Sequence, residues 1–242
     1  MVVLAAAVVP HPPLLVPDLA AGAAGLVAPL LAACDAVVAE LLERSPRTVV
    51  LIGSGQRTGP RAEQDAGTLA GFGTGLGTTG FGTTELLQPT QLSLSLIIGR
   101  WLLERAGWTG GTVLHEVAVD TSAEDCEVLG VRLAAETGPD SVWLALGDGS
   151  IRRGPRSPGH DDPRAAGFDA EVVRAFATGD RAALLGLDTD LAAELGVGGR
   201  AVWQVLASAV AAAGWTGIDA TVRYDAAPFG VEYLVADWKP LA

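Results

Sequence analysis

The sequence predicts an α/β fold: one domain, with a mixed but mostly parallel central sheet flanked by helices on both faces. Three observations carry this. Short apolar runs bounded by Pro or Gly (Val2 to Val9, Arg47 to Ile52, Ser141 to Leu146) read as strands buried on both faces. Segments with helical spacing separate them, as crossover connections require. The last two apolar segments lie too close together for such a crossover, so they pair antiparallel and make the sheet mixed. At 242 residues the chain suits one large domain. No Ser/Pro linker or internal repeat divides it, so residues 1–242 are read as one unit.

In order, strand Val2 to Val9 ends at Pro10-His11-Pro12-Pro13 and is followed by a helix over about Ala20 to Arg44. Arg47 to Ile52 is the second strand, ending at Gly53-Ser54-Gly55. From Gly59 to Gly82 the chain is rich in Gly and Thr with little periodicity, a length of loop that is uncommon unless functional. Gln91 to Ala106 has helical spacing, and Thr112 to Val119 is a strand candidate. Thr121-Ser122-Ala123-Glu124 supplies capping oxygens and an early acid, opening a helix to about Glu136. Strand Ser141 to Leu146 delivers Gly147-Asp148-Gly149-Ser150. Helical patterns cover Phe168 to Ala177, Ala182 to Leu187, Leu191 to Leu195 and Val202 to Ala213. Ala220 to Tyr224 and Val231 to Ala236 flank a turn at Ala226 to Gly230.

Composition excludes several function classes. An apolar content of 49% rules out wholesale disorder. Lys and Arg number 16 against 28 Asp and Glu, a formal net charge of −12 that repels phosphate backbones and argues against nucleic acid as a partner. The densest basic stretch is Arg152, Arg153, Arg156 and Arg164, enough for a small anion but not a duplex. The two cysteines, Cys34 and Cys126, form no CxxC pattern, which favours a reducing cytoplasm. The apolar start carries no basic region and does not have a signal-peptide layout. Leu19 to Leu42 is interrupted by Pro29, Asp35 and Glu40 and is read as packed in protein, with no membrane partner expected.

Ligands of open α/β sheets bind beyond the carboxyl ends of the strands. Three such ends carry polar residues: His11, Ser54 and the Asp148 loop. His11 can ligate a metal or move a proton near neutral pH, or simply cap its strand end. His160 lies in a loop rich in proton donors and acceptors, whose bland reading is a solvated turn. His115 lies inside a strand pattern and reads as structural. Asp148 either serves a ligand or caps its own loop. Gly75-Leu76-Gly77-Thr78-Thr79-Gly80 matches GxGxxG, but no strand precedes it, so the dinucleotide reading fails. Neither Ser54 nor Ser150 lies in GxSxG.

The order of several short motifs resembles a known family. His11-Pro12-Pro13 follows the first strand, and Gly147-Asp148-Gly149-Ser150 is followed by Pro163-Arg164 and Phe168-Asp169. Then come Gly179-Asp180, Leu184-Leu185, Asp188-Thr189-Asp190-Leu191 and Ala227-Pro228-Phe229-Gly230-Val231. The series resembles the class III extradiol ring-cleavage dioxygenase B-subunit (LigB-like) superfamily, especially its Memo-like branch, over nearly the whole chain. The resemblance implies a non-haem Fe(II) site of two histidines and one carboxylate. It places the first histidine at His11. The second, in a Pro-His-Gly context, would fall at Gly53-Ser54-Gly55, and the carboxylate of a Gly-Glu-Cys-Gly stretch at Gly196-Val197-Gly198-Gly199-Arg200. The proton-transfer histidine after Gly-Asp-x-Ser would fall at Ile151. One of the four side chains is present.

A lone imidazole does not hold Fe(II), and losing an acid–base group costs a factor of about 10² to 10⁴ in rate. The expectation is a catalytically degenerate member that binds a small ligand or acts as a scaffold, with no cofactor. Ser54, Ser150, Arg152 and Arg164 are the candidate ligand-binding residues, with Arg153 a further partner for an anion. The alternative is an active aromatic-diol dioxygenase with a rebuilt Fe(II) or Zn(II) site of His11, His160 and a carboxylate from Asp148, Asp161, Asp162 or Glu232. A third class is an interaction protein using residues 59–82 as a docking loop. Related folds assemble, so a homodimer is an accompanying expectation.

Overall fold

The computed structural model describes residues 3–72, 77–78, 92–138 and 140–241. The chain forms strands β1 (Val3–Val9), β2 (Thr48–Gly55), β3 (Gly59–Arg61), β4 (Gly67–Thr68), β5 (Gly77–Thr78), β6 (Gly111–Ala118), β7 (Ser141–Leu146), β8 (Ile218–Ala226) and β9 (Tyr233–Pro240). Its helices are α1 (Pro17–Ala20), α2 (Ala24–Glu43), α3 (Leu94–Arg105), α4 (Ala123–Glu136), α5 (Ala165–Thr178), α6 (Arg181–Leu185), α7 (Thr189–Leu195) and α8 (Arg200–Ala212). A seven-stranded sheet runs β3-β6-β2-β7-β1-β9-β8, and β4 and β5 form a separate two-stranded ribbon. The central strands β6, β2, β7 and β1 are parallel, while β3 and β9 run antiparallel to their neighbours, as does β8 to β9. The predicted single-domain α/β architecture, mixed and mostly parallel at its centre, is the observed one.

Alternation within continuous apolar runs explains why the strands read as they do. In β1, Val3, Ala6 and Val8 face one core layer, while Ala5, Ala7 and Val9 face the other. β7 divides Trp143 and Ala145 from Val142, Leu144 and Leu146 in the same way. The first layer is closed by α4 to α8 and the second by α2 and α3, so a solvent-facing polar period never develops. α4 and α8 pack closely at Gly130, where a Cβ would overlap the carbonyl of Val205.

The residues from Pro17 to Glu43 are long and apolar enough to cross a membrane by length and composition. Here α2 instead lays Val27, Leu30, Cys34, Val37, Val38 and Leu41 against the sheet. The helix expected from Ala20 is broken at its start, because Ala21 takes φ 42° and separates α1 from α2. The last strand runs further than expected, to Pro240, where pairing with β8 continues. The short edge strand β3 has no counterpart in the sequence reading. It contains Pro60 and pairs with β6 through its backbone. On the opposite edge, β8 carries an irregularity at Arg223, between Val222 and Tyr224. Positions 75, 76, 79 and 80 of the GxGxxG match, and 73–76 and 79–82 of the docking loop expected over 59–82, lie outside the described residues.

Candidate functional site

β7 lies between β1 and β2, so the three polar strand ends do converge. His11 follows β1, and its backbone N–H donates to Asp148 Oδ1 at 2.8 Å. Its Nδ1 stands 3.4 Å from the same oxygen and is buried without a hydrogen bond. Ser54, buried near the end of β2, accepts through its carbonyl from Ser95 Oγ at 2.6 Å. The backbone leading into α8 closes over this group: Gly199 N donates to Asp148 O at 2.8 Å. A Cβ at Gly198 would stand 3.9 Å from both Asp148 O and Ser54 Oγ, while one at Gly147 would overlap Gly199 Cα. The missing side chain at Gly147 is thus what lets the two backbones touch, while that at Gly199 makes room for the Trp203 ring.

Behind this group is a buried polar cluster. Ser150 donates to Asp169 through its backbone N at 3.0 Å and its Oγ at 2.5 Å. Arg153 Nη1 reaches Asp169 Oδ2 at 3.1 Å and Glu232 Oε2 at 2.5 Å. Glu232 is tied in by backbone bonds to Gly149 and Ser150. Two buried carboxyl groups share one guanidinium. Burial above all, then the Asp225 and Asp169 carboxyls, push Glu232 up to about 8 against the pull of Arg153. The cluster was missed in sequence because its members are 16 and 79 residues apart. It fixes the loop after β7 and gives Ser150 a structural partner.

The other candidates are dispersed. Arg152 donates to the carbonyl of Gly159. Arg164, exposed at the start of α5, pairs with Asp162 and Glu194 at 2.7 Å each. Asp161 accepts from Gly154 N at 2.9 Å. Arg152, Arg153 and Arg164 therefore do not form one anion cradle. His160 is exposed with φ 63°. His115 is buried and donates from Nδ1 to Glu116 O at 3.0 Å, with burial lowering its affinity for a proton.

The positions singled out by the family resemblance do gather at this end of the sheet. Ile151 donates its N–H to Leu195 O at 3.1 Å, and a Cβ at Gly196 would stand 2.6 Å from Ile151 Cγ1, beside buried Val197. The side chains there are one imidazole, a carboxylate engaged with a backbone N–H, a hydroxyl and aliphatic groups. Among the described residues no three His, Cys, Asp or Glu side chains are grouped to hold a metal ion. This set does not fit the two-histidine, one-carboxylate arrangement.

Next to Gly198 opens a cavity of about 460 Å³, whose wall includes Val119, Asp120, Gly196, Val197, Gly198 and Arg200. Its volume is within the range of small-molecule sites. Arg200 is the residue the sequence reading passed over. Its surroundings come from the β6–α4 connection and α8, and no spacing pattern announces them.

No protein-family model and no curated protein matches the chain. Among solved structures, the uncharacterized protein JW3007 from Escherichia coli K12 is similar, with a TM-score of 0.47 at 13% identity over 98% of this chain and 99% of that one. A likeness at that level speaks to neither protein's ligand nor its chemistry.

Proposed function

We propose that this protein is a divergent extradiol-dioxygenase-like domain that binds a small ligand at the carboxyl end of its sheet and does not cleave aromatic rings. The observation that carries the reading is the make-up of the strand-end group. His11 meets a carboxylate already accepting its own backbone N–H, and Ser54, Val197 and Ile151 stand where the family resemblance asks for a histidine, a carboxylate and a histidine. A facial Fe(II) site needs three strong protein donors, and valine and isoleucine supply none. What the group retains is hydrogen-bonding capacity in the imidazole of His11, the hydroxyl of Ser54 and the glycine backbone, of which Gly198 also lines the open cavity.

The test is metal content and oxygen chemistry. Protein purified without chelator is expected to hold far less than one equivalent of iron or zinc. With Fe(II) added anaerobically and a panel of catechols, oxygen uptake should stay at background. Stoichiometric iron or zinc that is lost in His11→Ala, or catechol-dependent oxygen uptake, would overturn the proposal in favour of a rebuilt metal site.

A further inference from the structure

We propose that the cavity at the start of α8 binds a small organic monocarboxylate, gripped by the free edge of the Arg200 guanidinium. Arg200 is 2% exposed, yet among the described residues no carboxylate forms an ion pair with it. Its hydrogen bonds go to neutral acceptors: Nη1 to Thr121 O at 2.5 Å and Gln204 Oε1 at 3.0 Å, and Nη2 to Val119 O at 2.7 Å. Arg61, Arg153 and Arg223, by contrast, each contact a carboxylate that is itself nearly buried. Exposed Asp120 favours the charge from a distance but makes no ion pair with it, so an anion that enters beside this buried cation relieves part of its desolvation cost.

The guanidinium carries five N–H groups. Three are used, which leaves Nε–H and one Nη2–H, donors on adjacent nitrogens that together can hold a carboxylate. Arg200 lines the cavity. It also opens α8, whose N-cap is Gly199 and bears no side-chain cap, so the first backbone N–H groups add positive potential at the same end. Burial makes this guanidinium easier to deprotonate than usual, a shift that a bound anion would reverse.

The other walls set the ligand's character. Val119, Gly196, Val197 and Gly198 offer an apolar, small-residue surface for a hydrocarbon body. Asp120 and Asp190, both exposed and lining the same cavity, disfavour a second negative charge. One cation inside and two carboxylates outside select a monoanion over phosphate or a dicarboxylate. The inference rests on reading this strand end as ligand-binding, and not on the absence of iron.

Isothermal titration of the intact protein with benzoate and with isobutyrate tests it, with phthalate and inorganic phosphate as dianionic comparisons. At least one monocarboxylate should bind, and both dianions should bind about tenfold more weakly or worse. Arg200→Lys keeps the charge but loses the two-pronged edge, and should weaken binding by about tenfold or more. Because a buried arginine also supports the fold, Gly198→Leu provides a second variant. It fills the cavity from a position with room for a Cβ and leaves Arg200 untouched, so it should abolish binding while the melting temperature stays near that of the parent. No binding of either monocarboxylate at millimolar concentration would overturn the inference, as would binding that survives both substitutions. Bound iron with benzoate binding that depends on Arg200 would instead overturn the proposed function alone.

Discussion

The Arg153 guanidinium lies 2.5 Å from the Glu232 carboxyl, joining residues 79 apart in sequence across the loop that follows β7. The same nitrogen serves Asp169, so one positive charge faces two buried carboxyls, with Asp225 beside them. That imbalance makes the cluster responsive to pH.

Glu232 keeps its proton in the folded state up to about 8, whereas in the unfolded chain it ionises near 4.5. Between those values the native state holds more protons than the unfolded one, so stability falls as pH rises through the window. Glu232→Gln removes this contribution. Urea unfolding at a series of pH values should show a shallower decline for the variant, which gains on the parent toward pH 8. An unchanged slope would mean that Glu232 is ionised throughout.

Gly147→Ala should destabilise the protein by about 1–3 kcal/mol, since the added methyl group meets the backbone of Gly199, which cannot rotate away. The same wedge separates the end of β7 from the opening of α8. Thermal melting reads the first effect, and ligand titration should show weakened binding from the second.

Ser122 Oγ accepts from Asp125 N at 3.0 Å and caps α4. Ser122→Ala should cost about 1 kcal/mol in urea unfolding, without changing the slope of the transition. Ser122→Thr, which keeps both the acceptor for Asp125 N and the donor to the Asp125 carboxylate, should recover most of the loss.

Cys34 and Cys126 are buried and free, and burial pushes both thiols up, Cys126 to about 11 and Cys34 further. Iodoacetamide at pH 8 should leave both unmodified in the native protein and alkylate both in urea, as mass spectrometry would read. Modification of Cys34 without denaturant would show that α2 detaches from the sheet.

The contrast between what the sequence disclosed and what it withheld has physical causes. β1, β2 and β7 were legible because covering both faces forces unbroken apolar runs. The antiparallel pairing of β8 with β9 followed from the short connection between them. β3 was not legible: Gly59-Pro60-Arg61 has no side-chain period, and only its backbone pairing with β6 makes it a strand. The meeting of His11, Ser54 and Asp148 was foreseeable from where ligands sit on such sheets, given neighbouring strands. The Arg152 to Arg164 stretch misled in the opposite sense. Its arginines are close in sequence, but Arg152, Arg153 and Arg164 are each drawn to a different partner. Arg200 stayed hidden because its partners are carbonyls contributed by residues about eighty positions away, and carbonyls leave no mark on composition.

The two rims of the large sheet differ from its interior in a way that bears on behaviour at high concentration. One rim is a three-residue strand with a proline at its centre, which offers a neighbouring chain few free amide donors. The other is broken at Arg223, a residue also tied down by Asp237 and Glu40 at 2.6 Å each. Neither rim is a flat template, so two folded copies gain little by joining sheets side by side. Fibril growth from this protein would have to begin with the loss of a rim strand.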